Sequence, residues 1–266
     1  RNYTTTESGV FNSPEVYEVE IEVDNKKIGP GTDCTSVTDM ISKIRKCIKF
    51  VLMGLQETNY PVSNSERQEV IEEYLDIIKQ KRQLPEGKHH RLFPNQFIGP
   101  SSRTLQLTNI TEEESRDEVL LPNIRDNYTV TDKADGERRL MFIPKSGKIY
   151  LLNTNMRILF TGAKTTNEKH RNSIIDGEII HHDKKGNYIN LFAAFDAYIL
   201  NNKDIRKNRF CIPVEQEVEE RVSRLRQLNI FTRELQNDSM KSVIGDDHKC
   251  PLRVSTKQFY LGTEKE

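Results

Sequence analysis

The chain has 266 residues, of which 30% are charged and 35% hydrophobic, and its 40 Lys plus Arg are balanced by 40 Asp plus Glu. That neutrality supplies no global field for nucleic acid, so such a ligand needs a local basic patch. No run approaches the eighteen or more apolar residues of a membrane-crossing helix and Arg1 opens no signal region, so the expectation is an intracellular protein with no membrane partner.

Residues 15–23 alternate strictly, placing Glu18, Glu20 and Glu22 on one face of a predicted strand and Tyr17, Val19, Ile21 and Val23 on the other. Three carboxylates on one face read as an exposed strand of an antiparallel sheet or as a platform for a hard cation such as Mg2+ or Mn2+. Apolar residues at helical spacing predict a helix over 35–56, capped by Thr35 or Ser36, and a second over 65–80, both with faces in a core. Lys88, His89, His90 and Arg91 read as a solvated basic loop. Pro94, Gly99 and Pro100 punctuate 92–110 as a connector, which puts a domain boundary between Gly87 and Ile110. The acidic stretch 111–118 predicts a short helix that begins the next domain. Cys34, Cys47, Cys211 and Cys250 stand far apart with no Cys-x-x-Cys pair, so four free thiols are expected rather than a zinc ribbon or a disulfide scaffold.

Two predicted strands, 128–131 and 138–143, flank a turn that holds Lys133, Asp135, Gly136, Arg138 and Arg139. Asp-Gly is a turn signal, because glycine accepts positive φ without steric cost. A lysine at the lip of such a turn suits nucleophilic attack on a phosphate, provided that neighbouring cations, desolvation or a metal lower its pKa and that the phosphate charge is neutralised. Arg138 and Arg139 are placed to serve both needs. A hairpin follows over 139–153 with its turn at 144–147, and Arg157 is a phosphate-side cation at the start of a further strand. The loop 162–172 carries Lys164, Lys169, His170 and Arg171. Residues 173–180 predict a strand with Asp176 and Glu178 around Gly177, and 190–199 an almost wholly apolar strand ending in Phe195 and Asp196. His181 and His182 are adjacent on a strand and point to opposite faces, so they make a poor metal pair. An amphipathic helix is expected over 213–228, and a last strand over 254–261.

Lys133-Ala134-Asp135-Gly136-Glu137-Arg138, followed by Asp176-Gly177-Glu178 and Phe195-Asp196, resembles the covalent nucleotidyltransferase superfamily of RNA and DNA ligases and mRNA capping guanylyltransferases. The resemblance implies that Lys133 forms a phosphoramide with a nucleoside monophosphate. It also implies that Asp135, Gly136, Arg138, Arg157, Glu178 and Phe195 bind the nucleotide. Arg138 would contact ribose or phosphate, Glu178 the ribose or a metal, and Phe195 would stack on the base. The run Val19-Glu20-Ile21-Glu22-Val23 is similar to the late glutamate strand of the metal-dependent RNA triphosphatases that fold as a β-tunnel, which implies Glu20 and Glu22, with Glu18 on the same face, as metal ligands. Residues 96–107 are similar to the segment joining triphosphatase to guanylyltransferase in large-DNA-virus capping enzymes.

Together these resemblances imply an α+β, antiparallel-sheet-rich fold. Residues 1–95 would be the C-terminal part of a triphosphatase tunnel domain with helices, 96–110 a connector, and 111–266 the front of an ATP-grasp-like nucleotidyltransferase domain that ends before its last motifs and OB-fold. The implied activity is mRNA 5′ capping with GTP as substrate, Mg2+ or Mn2+ as cofactor and 5′-triphosphate or 5′-diphosphate RNA as partner. A methyltransferase domain or subunit is a further candidate partner, and the implied location is cytoplasmic, in a viral factory or virion. An ATP-dependent polynucleotide ligase and a non-catalytic capping scaffold are the competing readings.

Overall fold

The computed structural model describes residues 2–3, 16–17, 19–85, 87–111, 123–125, 128–213, 222–245 and 247–261. They form two compact units, Arg1–Pro61 and Val62–Glu266. No helix among the described residues is long and apolar enough to cross a membrane.

The first unit holds an antiparallel pair of short strands, β1 (Asn2–Tyr3) and β2 (Val16–Tyr17), and the helix α1 (Val37–Gln56). Ser36 starts α1 by accepting the Asp39 N–H on its hydroxyl, and Glu57 ends it in the left-handed region at φ 53°. Two expectations are corrected here. The strand predicted over 15–23 is described only at Val16–Tyr17, and residues 19–24 lie outside any strand. Alternation makes a strand only where a neighbouring chain supplies the hydrogen-bond ladder. α1 has the predicted span and periodicity but buries none of its residues, and Val37, Ile41, Ile48, Phe50 and Leu55 are exposed.

The second unit opens with α2 (Asn64–Ile77), capped by the Ser63 hydroxyl on the Glu66 N–H. The strands β3 (Thr129–Thr131), β4 (Glu137–Ile143), β5 (Lys148–Asn153), β6 (Ile158–Thr165), β7 (Ser173–His182), β8 (Tyr188–Leu200) and β9 (Lys203–Asp204) follow. After them come α3 (Arg224–Glu234), β10 (Met240–Ser242), β11 (Arg253–Thr256) and β12 (Phe259–Leu261). The main sheet runs β10-β6-β5-β4-β7-β8-β11, with β9 beside β8, and it is antiparallel except where β11 joins β8. β12 and β3 form a separate antiparallel ribbon.

This sheet is covered on both faces. Met141, Ile143, Leu151, Ile175 and Phe192 pack in one cluster with Leu228, Phe231 and Leu235 at and beyond α3. On the opposite side, Tyr74 of α2 meets Phe142 edge-on at 5.5 Å, while Glu66 accepts hydrogen bonds from Lys148 Nζ and Tyr150 Oη, each at 2.6 Å. Two covered faces explain why β4 and β5 read Leu-Met-Phe-Ile and Ile-Tyr-Leu-Leu rather than alternating.

The C-terminal elements differ from expectation in extent. The strand predicted over 254–261 divides at Lys257, whose N–H donates to the Ala194 carbonyl (2.8 Å), so that β11 extends the sheet and β12 turns away to β3. Among the described residues the helix predicted over 213–228 begins at Arg224, behind its Ser223 cap, and runs on to Glu234. The acidic helix predicted over 111–118 lies outside the described residues, apart from Thr111. His170, expected in a basic loop, is buried with Nδ1 shared between the Thr165 and Ser239 hydroxyls at 3.2 and 3.0 Å.

Gly177 lies under the Phe192 ring, and a Cβ built there would fall 2.5 Å from Phe192 Cζ and 2.8 Å from the Ala193 carbonyl. Overpacking of this kind costs about 1–3 kcal/mol. Gly177→Ala is therefore expected to lower the urea midpoint by that equivalent, and an unchanged midpoint would show that the two strands separate freely.

Candidate active site

The turn at residues 132–136 joins β3 to β4 and is held from both ends. On the β3 side Thr131 pairs with Phe259 of β12 and donates its hydroxyl to the Gln258 carbonyl at 2.6 Å. On the β4 side the ladder with β7 sets Arg138 opposite Glu178 and Leu140 opposite Asp176. Gly136 is needed for close approach, because a Cβ there would lie 2.9 Å from the Ile179 carbonyl and 3.1 Å from Glu178 Cβ. Gly136 is not among the positive-φ glycines, so close packing against β7, rather than the positive φ expected of an Asp-Gly turn, requires glycine here.

Lys133 and Asp135 lie exposed on this turn, and Lys133 Nζ makes no hydrogen bond or ion pair with any described residue. Glu178, half-buried on the strand against which the turn rests, has its Oε2 shut off from solvent without a hydrogen-bond partner among the described residues. A dry carboxylate oxygen with no donor is costly, and a ribose hydroxyl or a metal ion would supply what it lacks.

Arg138 is the most heavily engaged cation of the group. Its Nε and Nη2 donate to the two oxygens of Asp176 at 3.1 and 2.5 Å, and Nη1 donates to the Pro100 carbonyl at 2.6 Å. Its guanidinium carbon lies 5.1 Å from the centre of the Phe97 ring and 5.7 Å from that of Phe195. Three of the five N–H donors are spent, leaving two for a ligand. Asp176 is fully buried and also accepts from Tyr198 Oη at 2.6 Å. Burial pushes its carboxyl above the usual range, opposed by the hydrogen bonds from Arg138 and Tyr198, while pairing with Asp176 holds Arg138 firmly charged. Burial and the neighbouring Asp176 also raise the Tyr198 phenol, which keeps it a donor.

Residues 97–100, read from sequence as a connector, are built into this cluster. A Cβ on Gly99 would lie 2.5 Å from Arg138 Nη2 and 2.7 Å from Asp176 Oδ2, so only glycine admits the segment so close. Tyr74 of α2 holds the preceding residue by donating to the Gln96 carbonyl at 2.8 Å.

Phe195 owes its position to a β-bulge. Asp196 faces Asp176 and Ala194 faces Gly177, which leaves Phe195 as the extra residue on β8. Bulges re-aim side chains. Here the bulge sets the half-buried Phe195 ring beside Arg138 and lets alternation resume with Ala197 in the core and Tyr198 on Asp176. Next to it, Asp196 accepts both Nε and Nη2 of Arg224 at 2.8 and 2.9 Å, tying the start of α3 to β8.

The structure thus gathers Gly136, Arg138, Glu178 and Phe195 around the turn that carries Lys133 and Asp135. Arg139, expected to share the phosphate charge with Arg138, projects from the other face of β4 and pairs with Glu137. Arg157 lies exposed in the turn between β5 and β6. Glu20 and Glu22 are exposed in the first unit and Glu18 lies outside the described residues. Among the described residues no group of three or more His, Cys, Asp and Glu side chains could hold a metal ion. Sequence reasoning named Asp176 without giving it a task and missed Tyr198 and Phe97. An acid inside the apolar run Ile174-Ile175-Asp176 was the available signal, because a carboxylate buried on a strand needs a partner.

A lysine turn seated on the acidic strand of an antiparallel sheet, with an arginine and an aromatic ring beside it, is the arrangement of a nucleotidyltransferase-type domain. The chain belongs to the family described as mRNA capping enzyme, catalytic domain, whose model matches residues 116–266. It is also similar to the probable mRNA-capping enzyme of Acanthamoeba polyphaga mimivirus, with 28% identity over 202 residues, covering 75% of this chain and 14% of that relative.

The Asp176 carboxylate is the common partner of Arg138 and Tyr198, and removing one side of a buried pair costs about 3–5 kcal/mol. Asp176→Ala is expected to destabilise the protein by that amount in urea unfolding, and a loss below about 1 kcal/mol would mean that the cluster is no anchor.

Proposed function

We propose that this chain carries the guanylyltransferase step of mRNA 5′ capping, with Lys133 as the nucleophile. The observation that carries the reading is the seat of the Lys133 turn on β7, next to the unpartnered Glu178 oxygen and opposite Arg138. As the free amine, Lys133 Nζ attacks the α-phosphorus of GTP. The N–P bond forms as the bond from that phosphorus to pyrophosphate breaks, and the amine proton leaves to solvent. The terminal phosphate oxygen of a 5′-diphosphate RNA then attacks the same phosphorus, the N–P bond breaks, and the lysine recovers its proton.

In this reading the two N–H donors left on Arg138 face ribose or phosphate, Glu178 accepts from a ribose hydroxyl or supports a metal, and the Phe195 ring stacks on guanine. Gly136 keeps the turn close to β7. Asp135 lies on the turn beside the nucleophile, and Arg157 adds a cation on the phosphate side. A bound Mg2+ or Mn2+ would neutralise phosphate charge, and Glu178 and Asp135 are the carboxylates to hold it.

The wider organisation is likewise a proposal. Residues 111–266 form the nucleotidyltransferase part and 96–110 the connector. Residues 1–95 belong to a metal-dependent RNA triphosphatase, with Glu18, Glu20 and Glu22 as its ligands. RNA with a 5′-triphosphate or 5′-diphosphate end is the partner, with a methyltransferase domain or subunit beside it, in a cytoplasmic, virus-associated setting. The resemblance of residues 19–23 and 96–107 to the corresponding parts of capping enzymes supports this division.

Incubating the full-length protein with α-labelled GTP and Mg2+ should leave covalent label that survives alkali and is released by acid, as an N–P bond requires, lost with Lys133→Ala and withheld by EDTA. Label retained in Lys133→Ala would remove the lysine from the mechanism, and a preference for ATP would point to ligation. Stacking on an aromatic ring is worth about 1–3 kcal/mol, so Phe195→Ala should raise the KM for GTP by about 5- to 150-fold.

A further inference from the structure

A concave surface lies in the second unit, lined by none of the residues of the nucleotide cluster. It is a cleft of about 710 Å3 between the end of α2 and residues 89–96. Leu75 and Leu84 are apolar residues of its lining, which also carries Lys79, Lys81, Arg82 and Arg91 together with His89 and His90. No Asp or Glu is among the described residues that line it. Lys81 is paired with Glu72 at 3.2 Å, but Arg82 and Arg91 make no hydrogen bond or ion pair with any described residue. Phe93, also in the lining, is 58% exposed.

Cations gathered in a concavity with no acid among its described lining residues repel one another and draw in a polyanion. Basic side chains that can follow a phosphate backbone, next to an exposed aromatic ring on which a base can stack, are the two ingredients of a single-strand binding groove. The segment that lines the cleft also leads into the nucleotide cluster. Gln96 forms part of the cleft lining, and three residues further on Gly99 touches Arg138 and Asp176. That is about 11 Å of extended chain at most.

We propose that this cleft binds single-stranded RNA, holding the segment behind the 5′ end while that end reaches Lys133. The cations grip phosphates and Phe93 stacks on a base without reading sequence. The identity of the polyanion rests on the capping reading, whereas the cleft and its charge do not. An acidic protein segment is the competing occupant. It is disfavoured because the exposed ring offers a face to nucleobases and because the segment lining the cleft leads within three residues to the nucleotide cluster.

The test uses the full-length protein and a 3′-fluorescein-labelled single-stranded RNA, with binding followed by anisotropy without GTP. Four phosphate contacts give a slope of log K against log salt of about −3, hence about a 50-fold loss of affinity between 50 and 200 mM salt. Arg82→Glu with Arg91→Glu should weaken binding at least about 10-fold and flatten that slope, and Phe93→Ala should weaken binding without changing it. All three substitutions are at exposed positions, and GTP labelling of Lys133 should persist in each variant, which also reports that the fold is intact. Lys133→Ala should bind RNA as the parent does, so failure of the nucleophile assignment and failure of the groove give different results. RNA affinity unmoved by the charge reversal overturns the proposal. So does tight capture of a Glu-rich peptide, in preference to RNA, that the reversal abolishes.

Discussion

The bidentate pair between Arg138 and Asp176 organises the second unit. Asp176 lies wholly inside the protein on a central strand, where an unpaired carboxylate would be prohibitively costly. Arg138 meets that need from the neighbouring strand and in doing so becomes a fixed object for other elements to pack on. The Pro100 carbonyl takes one of its donors, Phe97 and Phe195 lie against its planar group, and Gly99 slips in beside it. One ion pair therefore joins the connector, the bulge of β8 and the first residues of β4.

The same pair shapes the chemistry available. With its guanidinium committed on one side, Arg138 can present only its remaining donors, and the residue itself stands opposite Glu178 on the register of β4 and β7. Gly136 closes the gap between the Lys133 turn and that register. Lys133 is left exposed at the lip, while Arg138 and Asp176 beside its turn are held by hydrogen bonds and packing. A reaction site needs this division, since the positioning groups must hold to a fraction of an ångström while the reacting chain has to reach in.

Much of this was legible in the sequence, and the exceptions have physical causes. The strands from β4 to β8 were foreseen because each carries a dense apolar run bounded by turn residues, and Lys133, Glu178 and Phe195, singled out in that order, fall on the turn before β4, on β7 and on β8. The bulge at Phe195 was not foreseen, because it depends on how β8 registers with β7 and local spacing does not encode that. The role of residues 97–100 was also hidden: Pro and Gly there read as a linker, whereas Gly99 is small because an arginine and a carboxylate approach it. α1 shows the reverse case, with a clear helical period but no buried face among the described residues. Periodicity reports a surface prepared for burial and does not say what covers it. Residues 19–24 lack a ladder for a similar reason, since alternation cannot supply a partner strand.

The most direct measurement is a crystal structure of the full-length protein with GTP and Mg2+. The account predicts continuous density between Lys133 Nζ and the α-phosphorus, guanine against Phe195, Glu178 Oε2 engaged by the ribose or the ion, and Arg138 still paired with Asp176. Nucleotide bound elsewhere, with Lys133 in solvent and Glu178 still without a partner, would contradict it.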